Sequence, residues 1–234
     1  MGQKAMGVRG FLMIKPYHET NLGVLYHGDC LTIMPMLEPV DLVLTDPPYG
    51  IGEDGGKHFE WKTRPNSIGK DPKYEKMGWD NKRPTEKVFT VMIEISKNQI
   101  IWGGHYFSDY LKPSGRWFVW DKLIEIEIFT SCELAWTSFN GNTIRRFKMH
   151  PFAGLNGGKN KKHPTQKPVG LMLWCLEKSK TTGMVLDPFL GSGTTAIACE
   201  RLNRRWIGIE IEEKYCEISA RRIEKERQQL KLFT

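Results

Sequence analysis

Short apolar runs alternate along this chain with stretches of helical spacing, the pattern of a mostly parallel sheet covered by helices. Gly23-Val24-Leu25-Tyr26-His27 reads as a strand ending at Gly28-Asp29. Leu31 to Leu37 reads as a short helix, and Val40 to Thr45 as a buried strand ending at Asp46. Lys87 to Ser96 has helical spacing, and Gln99 to Trp102 is a strand closed by Gly103-Gly104. Arg116 to Trp120 is another strand. After residues 168 to 178, which look helical, Met184 to Leu186 and Trp206 to Ile209 read as strands around a Thr194 to Arg201 helix. A charged helix from about Glu213 closes the chain.

Two segments interrupt this rhythm. Residues 51 to about 83 are polar, with Trp61 and Trp79 interspersed, and read as a long functional loop. Residues 121 to about 162 mix short apolar stretches with Asn140-Gly141, a hairpin signal, and a basic run. The length of 234 residues suits one α/β domain, 1–234, carrying these two segments as insertions. Residues 1 to about 20 read either as a loose arm or as partly non-native sequence.

Composition narrows the class. A hydrophobic share of 40% supports a real core, and 26% charged residues is ordinary for a soluble protein. The net charge of +7 fits a polyanionic partner, and equally a merely basic enzyme. The five cysteines form no C-x-x-C pair and have no histidine at metal-ligand spacing, so reduced, mostly buried thiols in a cytoplasmic protein are expected, with no metal. No apolar run approaches the roughly 20 residues that span a bilayer.

Three segments carry chemistry. Asp187-Pro188-Phe189-Leu190-Gly191-Ser192-Gly193-Thr194-Thr195 follows a strand and opens a helix, where glycines let a ligand approach the backbone closely. Gly191, Gly193 and Ala196 also match the dinucleotide fingerprint, so an oxidoreductase is a competing reading. Electrostatics separates the two: Asp187 would repel a pyrophosphate but attract the ammonium of S-adenosylmethionine, which carries no phosphate. Glu210 ends the next strand roughly 20 residues on, where an acid can accept ribose hydroxyls. The second segment, Asp46-Pro47-Pro48-Tyr49, ends an apolar strand. Its prolines stiffen the backbone and aim their carbonyls. A carboxylate and a proline carbonyl can together accept both protons of one amino group, with Tyr49 as a stacking face; a plain stiffened turn is the alternative. The third, His163-Pro164-Thr165-Gln166-Lys167-Pro168, reads either as a turn with Pro168 at the first helical position, or as placing Thr165 and Lys167 near a cofactor's carboxylate.

Together these motifs, in this order, resemble the DNA amino-methyltransferases that modify N6 of adenine or N4 of cytosine. The catalytic tetrapeptide precedes the cofactor loop, as in the permuted β class of that family, and Gly28-Asp29-Cys30 is similar to its pattern too. The resemblance covers roughly residues 22 to 222. It implies a Rossmann-like fold with helices on both sheet faces and S-adenosylmethionine as cofactor. Asp187, Phe189, Gly191, Gly193 and Thr194 would line that cofactor, with Glu210 on the ribose, Asp29 and Cys30 at the adenine ring, and Thr165 and Lys167 nearby. Asp46 and Pro47 would accept from the target amino group, Pro48 would shape the turn, and Tyr49 would stack on a flipped-out base.

A tetrapeptide beginning with Asp is commoner in the adenine enzymes, so transfer to N6 of adenine in DNA is expected, within restriction–modification, with N4 of cytosine as the alternative. A DNA-binding protein without catalysis is a further one, opposed by the presence of all the expected acids. Arg145, Arg146, Lys148, Lys161 and Lys162 are candidates for phosphate contact, against a solvated charged loop, and residues 51 to 83 are a second candidate for contact with DNA. The charges of the closing helix are expected to face water. Homodimers are common in the family, so one is possible here.

Overall fold

A computed structural model describes residues 14–52, 78, 80–125, 130–153 and 166–231. The expected arm therefore lies largely outside the described residues, as do Trp61, Trp79, Thr165, Lys161 and Lys162. The strands are β1 (His18–Glu19), β2 (Gly23–His27), β3 (Val40–Thr45), β4 (Ser96–Trp102), β5 (Trp117–Asp121), β6 (Cys132–Thr137), β7 (Arg145–Lys148), β8 (Val185–Asp187) and β9 (Trp206–Glu210). The helices are α1 (Cys30–Ile33), α2 (Glu86–Ile95), α3 (Val169–Ser179), α4 (Thr194–Arg201) and α5 (Glu213–Lys231).

The described strands form one sheet in the order β1-β2-β9-β8-β3-β4-β6-β5-β7. From β2 to β4 every neighbouring pair is parallel. Central strands of this kind are covered on both faces, which explains the near-continuous apolar run of β3, whose six residues are all buried except Asp41. Leu42 and Leu44 pack with Leu171, Leu176, Ile197 and Ile223 of α3, α4 and α5 on one face. Val43, Ile101 and Leu186 pack with Ile33, Phe89 and Met92 of α1 and α2 on the other. Helices on both faces of a mostly parallel sheet are thus confirmed.

Local sequence sets the ends. Asp29 caps α1 by accepting from Leu31 N–H at 2.9 Å, and Pro35 turns the chain on into a short 3₁₀ segment, Met34–Met36. In α2 the buried Val88, Phe89, Met92 and Ile95 form the apolar stripe, and Ser96 ends it with extended backbone. Pro168 stands at the N-cap of α3, with ψ of 140°, one place before the expected first helical position.

The segment 121–162 departs most from expectation, because β6 and β7 belong to the main sheet rather than to an insertion. Asn140-Gly141 does not close a hairpin between them. β6 is already flanked by β4 and β5, leaving no open side, so the chain passes β5 and pairs with its free edge, parallel to it. The basic residues Arg145, Arg146 and Lys148 therefore sit on an edge strand, not in a loop, and all three are exposed.

Candidate active site

Parallel strands bring their carboxyl ends to one edge, and the acids singled out by sequence line up there. Asp29 follows β2, Glu210 ends β9, Asp187 ends β8 and Asp46 follows β3. Open α/β sheets bind their ligands outside this edge. β3 and β8 are direct neighbours, and the Thr45 hydroxyl donates to Asp187 Oδ1 at 2.7 Å. The tetrapeptide and the glycine turn thus open side by side.

Around the glycine turn the structure is built for close backbone approach. Gly191 and Gly193 have φ of 55° and 83°, the left-handed region that a side chain strains, and Gly193 caps α4 ahead of the buried Thr194. Asp187 is 4% exposed. Burial pushes its carboxyl up to about 6, against the hydroxyls of Thr195 and Thr45 and the Phe189 N–H, which favour the charged form. Glu210 is pushed up by burial to about 7 while accepting from Gly191 N–H at 2.7 Å and Glu212 N–H at 2.9 Å. Two buried carboxylates beside the turn disfavour an anionic ligand and favour a cationic one. Asp29 is exposed, and Cys30 beside it is a buried thiol pushed up by burial to about 12. Burial likewise raises the thiols of Cys175, Cys199 and Cys216, which argues against their serving as nucleophiles.

α5 supports this turn from below. The Ser219 hydroxyl donates to Gly191 O at 2.6 Å, and Arg222 bonds both the carbonyl and the hydroxyl of Ser192. Burial lowers the Arg222 guanidinium to about 10, so this residue departs from the solvated charges expected of the closing helix. Nothing in the alternating charge pattern marks it out.

Asp46 has a denser set of partners than the motif suggests. The Tyr49 hydroxyl donates to Oδ1 at 2.5 Å and the Lys167 ammonium to Oδ2 at 2.6 Å. Lys167 was expected beside the cofactor's carboxylate, but the structure places it against Asp46 and Glu133, with its side chain 5% exposed. The described residues before α3 bring Lys167 to the end of β3, where Asp46 follows. Tyr49 stacks on Tyr106 at 4.8 Å between ring centroids, so one of its faces is already covered. Gly103 allows this packing: a Cβ there would fall 2.1 Å from the Tyr49 ring. Pro47 is buried, Pro48 half-buried. Just beyond the tetrapeptide, Gly50 N–H donates to the buried Asp80 at 2.8 Å, closing the base of the 51–83 segment.

Sequence reasoning missed Glu133, its second cation Lys122 at 2.7 Å, Tyr106 and Arg222. Glu133 did leave a signal, a lone acid within the apolar run of β6. Arg145, Arg146 and Lys148 lie on β7, which runs parallel to β5 and so points its Lys148 end toward the same edge as the acids. No described helix is long and apolar enough to cross a membrane.

Comparison with known proteins agrees with this layout. Residues 119–221 match a family described as DNA methylase. The chain is 30% identical over 263 aligned positions to Type II methyltransferase M2.DpnII of Streptococcus pneumoniae, covering 93% of this chain and 95% of that protein. It is 28% identical over 259 positions to Type II methyltransferase M2.MboI of Moraxella bovis, covering 90% and 92%. Among solved structures, the M1.HpyAVI–SAM complex superposes with a TM-score of 0.55 at 23% identity, over 86% of this chain and all 100% of that one. The PvuII DNA methyltransferase (cytosine-N4-specific) superposes at 0.57 with 17% identity, over 92% and 94%. At these identities the two structures speak for the fold.

Proposed function

Because the chain belongs to the DNA amino-methyltransferases, and so is an S-adenosylmethionine-dependent DNA methyltransferase, we propose that it methylates N6 of adenine at the edge where Asp46 and Asp187 meet. The observation that carries this reading is the pairing of β3 with β8, tied by the 2.7 Å bond from Thr45 to Asp187.

The residues at the glycine turn fit the cofactor. Asp187 offers a buried carboxylate to an ammonium, and Glu210 offers its remaining lone pairs to ribose hydroxyls, while a pyrophosphate would face both charges at close range. This disposes of the dinucleotide reading. Gly191, Gly193, Thr194 and Phe189 would line the ligand, and Asp29 and Cys30, at the end of β2, would face its adenine ring. When bound, the cofactor supplies an activated methyl group on a sulfonium, and the protein's task is alignment and electrostatics.

The amine of adenine is a poor nucleophile, its lone pair being delocalised into the ring. Asp46 and the Pro47 carbonyl accept its two N–H bonds, hold electron density on nitrogen and favour a pyramidal geometry. Asp46 is also the nearest base to the proton released on transfer. Pro48 fixes the turn and Tyr49 stacks on the base, which must leave the duplex to reach this edge. No thiolate is needed. Methylating DNA places the chain in the compartment that holds the chromosome, in keeping with a cytoplasmic protein.

The test is incubation with methyl-labelled S-adenosylmethionine and mixed-sequence duplex, followed by mass spectrometry of the digested nucleosides. Labelled N6-methyladenine is expected; labelled N4-methylcytosine would reassign the target base.

The β7 edge supplies the DNA contact in this reading. Arg145 and Arg146 are exposed, and among the described residues Arg146 has only a loose ion pair, 3.9 Å from Asp121. Replacing both by Ala should weaken DNA binding and reduce the slope of log affinity against log salt by about 2, roughly one for each phosphate left without its arginine. Titrations at several salt concentrations measure this. An unchanged slope would return the strand to a merely solvated role.

A further inference from the structure

Lys167 and Glu133 have no part in the reading so far, yet they are placed against its central carboxylate. Lys167 Nζ lies 2.6 Å from Asp46 Oδ2, 3.0 Å from Glu133 Oε2 and 3.3 Å from the Tyr49 hydroxyl. With Tyr49 on Oδ1, both oxygens of Asp46 are engaged. Each oxygen keeps a second lone pair, but an amino group arriving at Oδ2 competes there with the buried Lys167 ammonium, which is the donor able to move. A displaced ammonium cannot stay in a buried pocket without a carboxylate, because an unpaired buried charge is strongly destabilising.

Glu133 offers the alternative. Its Oε1 faces Lys122 Nζ at 2.7 Å. Its Oε2 is buried and, among the described residues, has no donor at a hydrogen-bonding angle, although the Lys167 ammonium forms an ion pair with it at 3.0 Å. Oε2 is thus already within reach of the ammonium that Asp46 holds.

We propose that Glu133 is a positioning residue that receives the Lys167 ammonium when the target amino group takes Oδ2 of Asp46, so that Asp46 stays ionised and free to accept. This rests on the role given to Asp46 above. The groups facing Asp46 are Tyr49 on its own loop, Lys167 ahead of α3, Glu133 on β6 and Asp187 on β8; Glu133 in turn faces Lys122, Lys167 and His105. Two lysines balance the charges of Asp46 and Glu133.

The directions of proton affinity agree. Burial raises the Asp46 carboxyl and the charge of Glu133 adds to it, while Lys167 opposes both. Burial works to raise Glu133 as well, but its two lysines bring it down to about 2. Burial pulls Lys167 down, and Asp46 with Glu133 more than restores it, leaving it above an ordinary lysine. Removing the charge of Glu133 therefore gives Lys167 to Asp46 alone: Asp46 ionises at lower pH, and the amino group meets a tighter ion pair. Removing the charge of Lys167 leaves Asp46 buried without its cation, and it ionises at higher pH.

The experiment measures single-turnover rate against pH for the wild type, Glu133→Gln, Glu133→Asp, Lys167→Gln and Asp46→Ala, with cofactor affinity and thermal melting alongside. Glu133→Gln should slow transfer by about 100-fold, the scale of a misplaced reacting group, with cofactor affinity unchanged and the acid limb moved to lower pH. Lys167→Gln should move that limb to higher pH, and Glu133→Asp should recover most of the rate. A merely structural role for Glu133 would shift melting and leave the limbs where they are, and that result overturns the proposal. If Glu133→Gln does not fold, the Lys167→Gln limb decides, and an unmoved or lowered one is fatal. An active Asp46→Ala would remove the role of Asp46 itself; an inactive one with unmoved limbs in the other variants would remove only the role of Glu133.

Discussion

Replacing Asp46 by Ala should reduce methyl transfer by about 1000-fold or more while cofactor affinity stays within about twofold. The size follows from losing a preorganised charge at the reacting nitrogen, since one such group is worth roughly 100- to 1000-fold even when neutral. Asp46 lies on the turn after β3, whereas the cofactor residues lie after β8, β9 and β2, so the binding site for the methyl donor is left standing. The two carboxylates do sense each other: the charge of Asp46 contributes to the raised proton affinity of Asp187. Removing it makes Asp187 easier to ionise and, if anything, helps the cofactor. Single-turnover rates and calorimetric titrations separate the two effects. Turnover near the wild-type rate would take the amino group away from Asp46.

Asp187→Asn should act in the opposite way, weakening the cofactor by about 10- to 100-fold, as expected for a lost hydrogen bond between charged partners, without lowering the melting temperature of the cofactor-free protein at pH 7.5. The folded protein holds the Asp187 carboxyl at about 6, against an ordinary value of 3.8. The unfolded chain thus releases the proton first, and this residue's contribution to stability declines as pH rises through that window, with the penalty complete above about 6. Asparagine abolishes this decline. Glu210, held at about 7 against an ordinary 4.5, adds the same trend in both proteins. Melting at pH 5 and pH 7.5 should therefore show a smaller fall for the variant. A variant that binds the cofactor as tightly as the wild type would remove Asp187 from the ammonium site.

What the sequence revealed divides along physical lines. β3, β8 and β9 were legible because central parallel strands are covered on both faces and read as apolar runs ended by Asp or Glu. The order of the motifs then located the site. β6 and β7 were not legible, since β7 is an exposed edge of four mainly polar residues and β6 carries Glu133 in its interior. Their pairing depends on which strand edge remains open, a fact of assembly rather than of local pattern. Lys167 was legible as a site residue, but its ion pairs with Asp46 and Glu133 were not, because sequence gives a residue's distance along the chain and not the strand ends it meets. Arg222 was hidden for a similar reason: a buried arginine under a glycine turn and a solvated one on the same helix look alike in a row of charges.

One structure would test the central claim most directly: the protein with S-adenosylhomocysteine and a duplex carrying its target site. An adenine turned out of the duplex is expected, its amino group on Asp46 and the Pro47 carbonyl, with the ligand's ammonium at Asp187, and sulfur and nitrogen aligned across the β3–β8 boundary. A base seated away from Asp46, or a ligand bound elsewhere than the Gly191 turn, would contradict it.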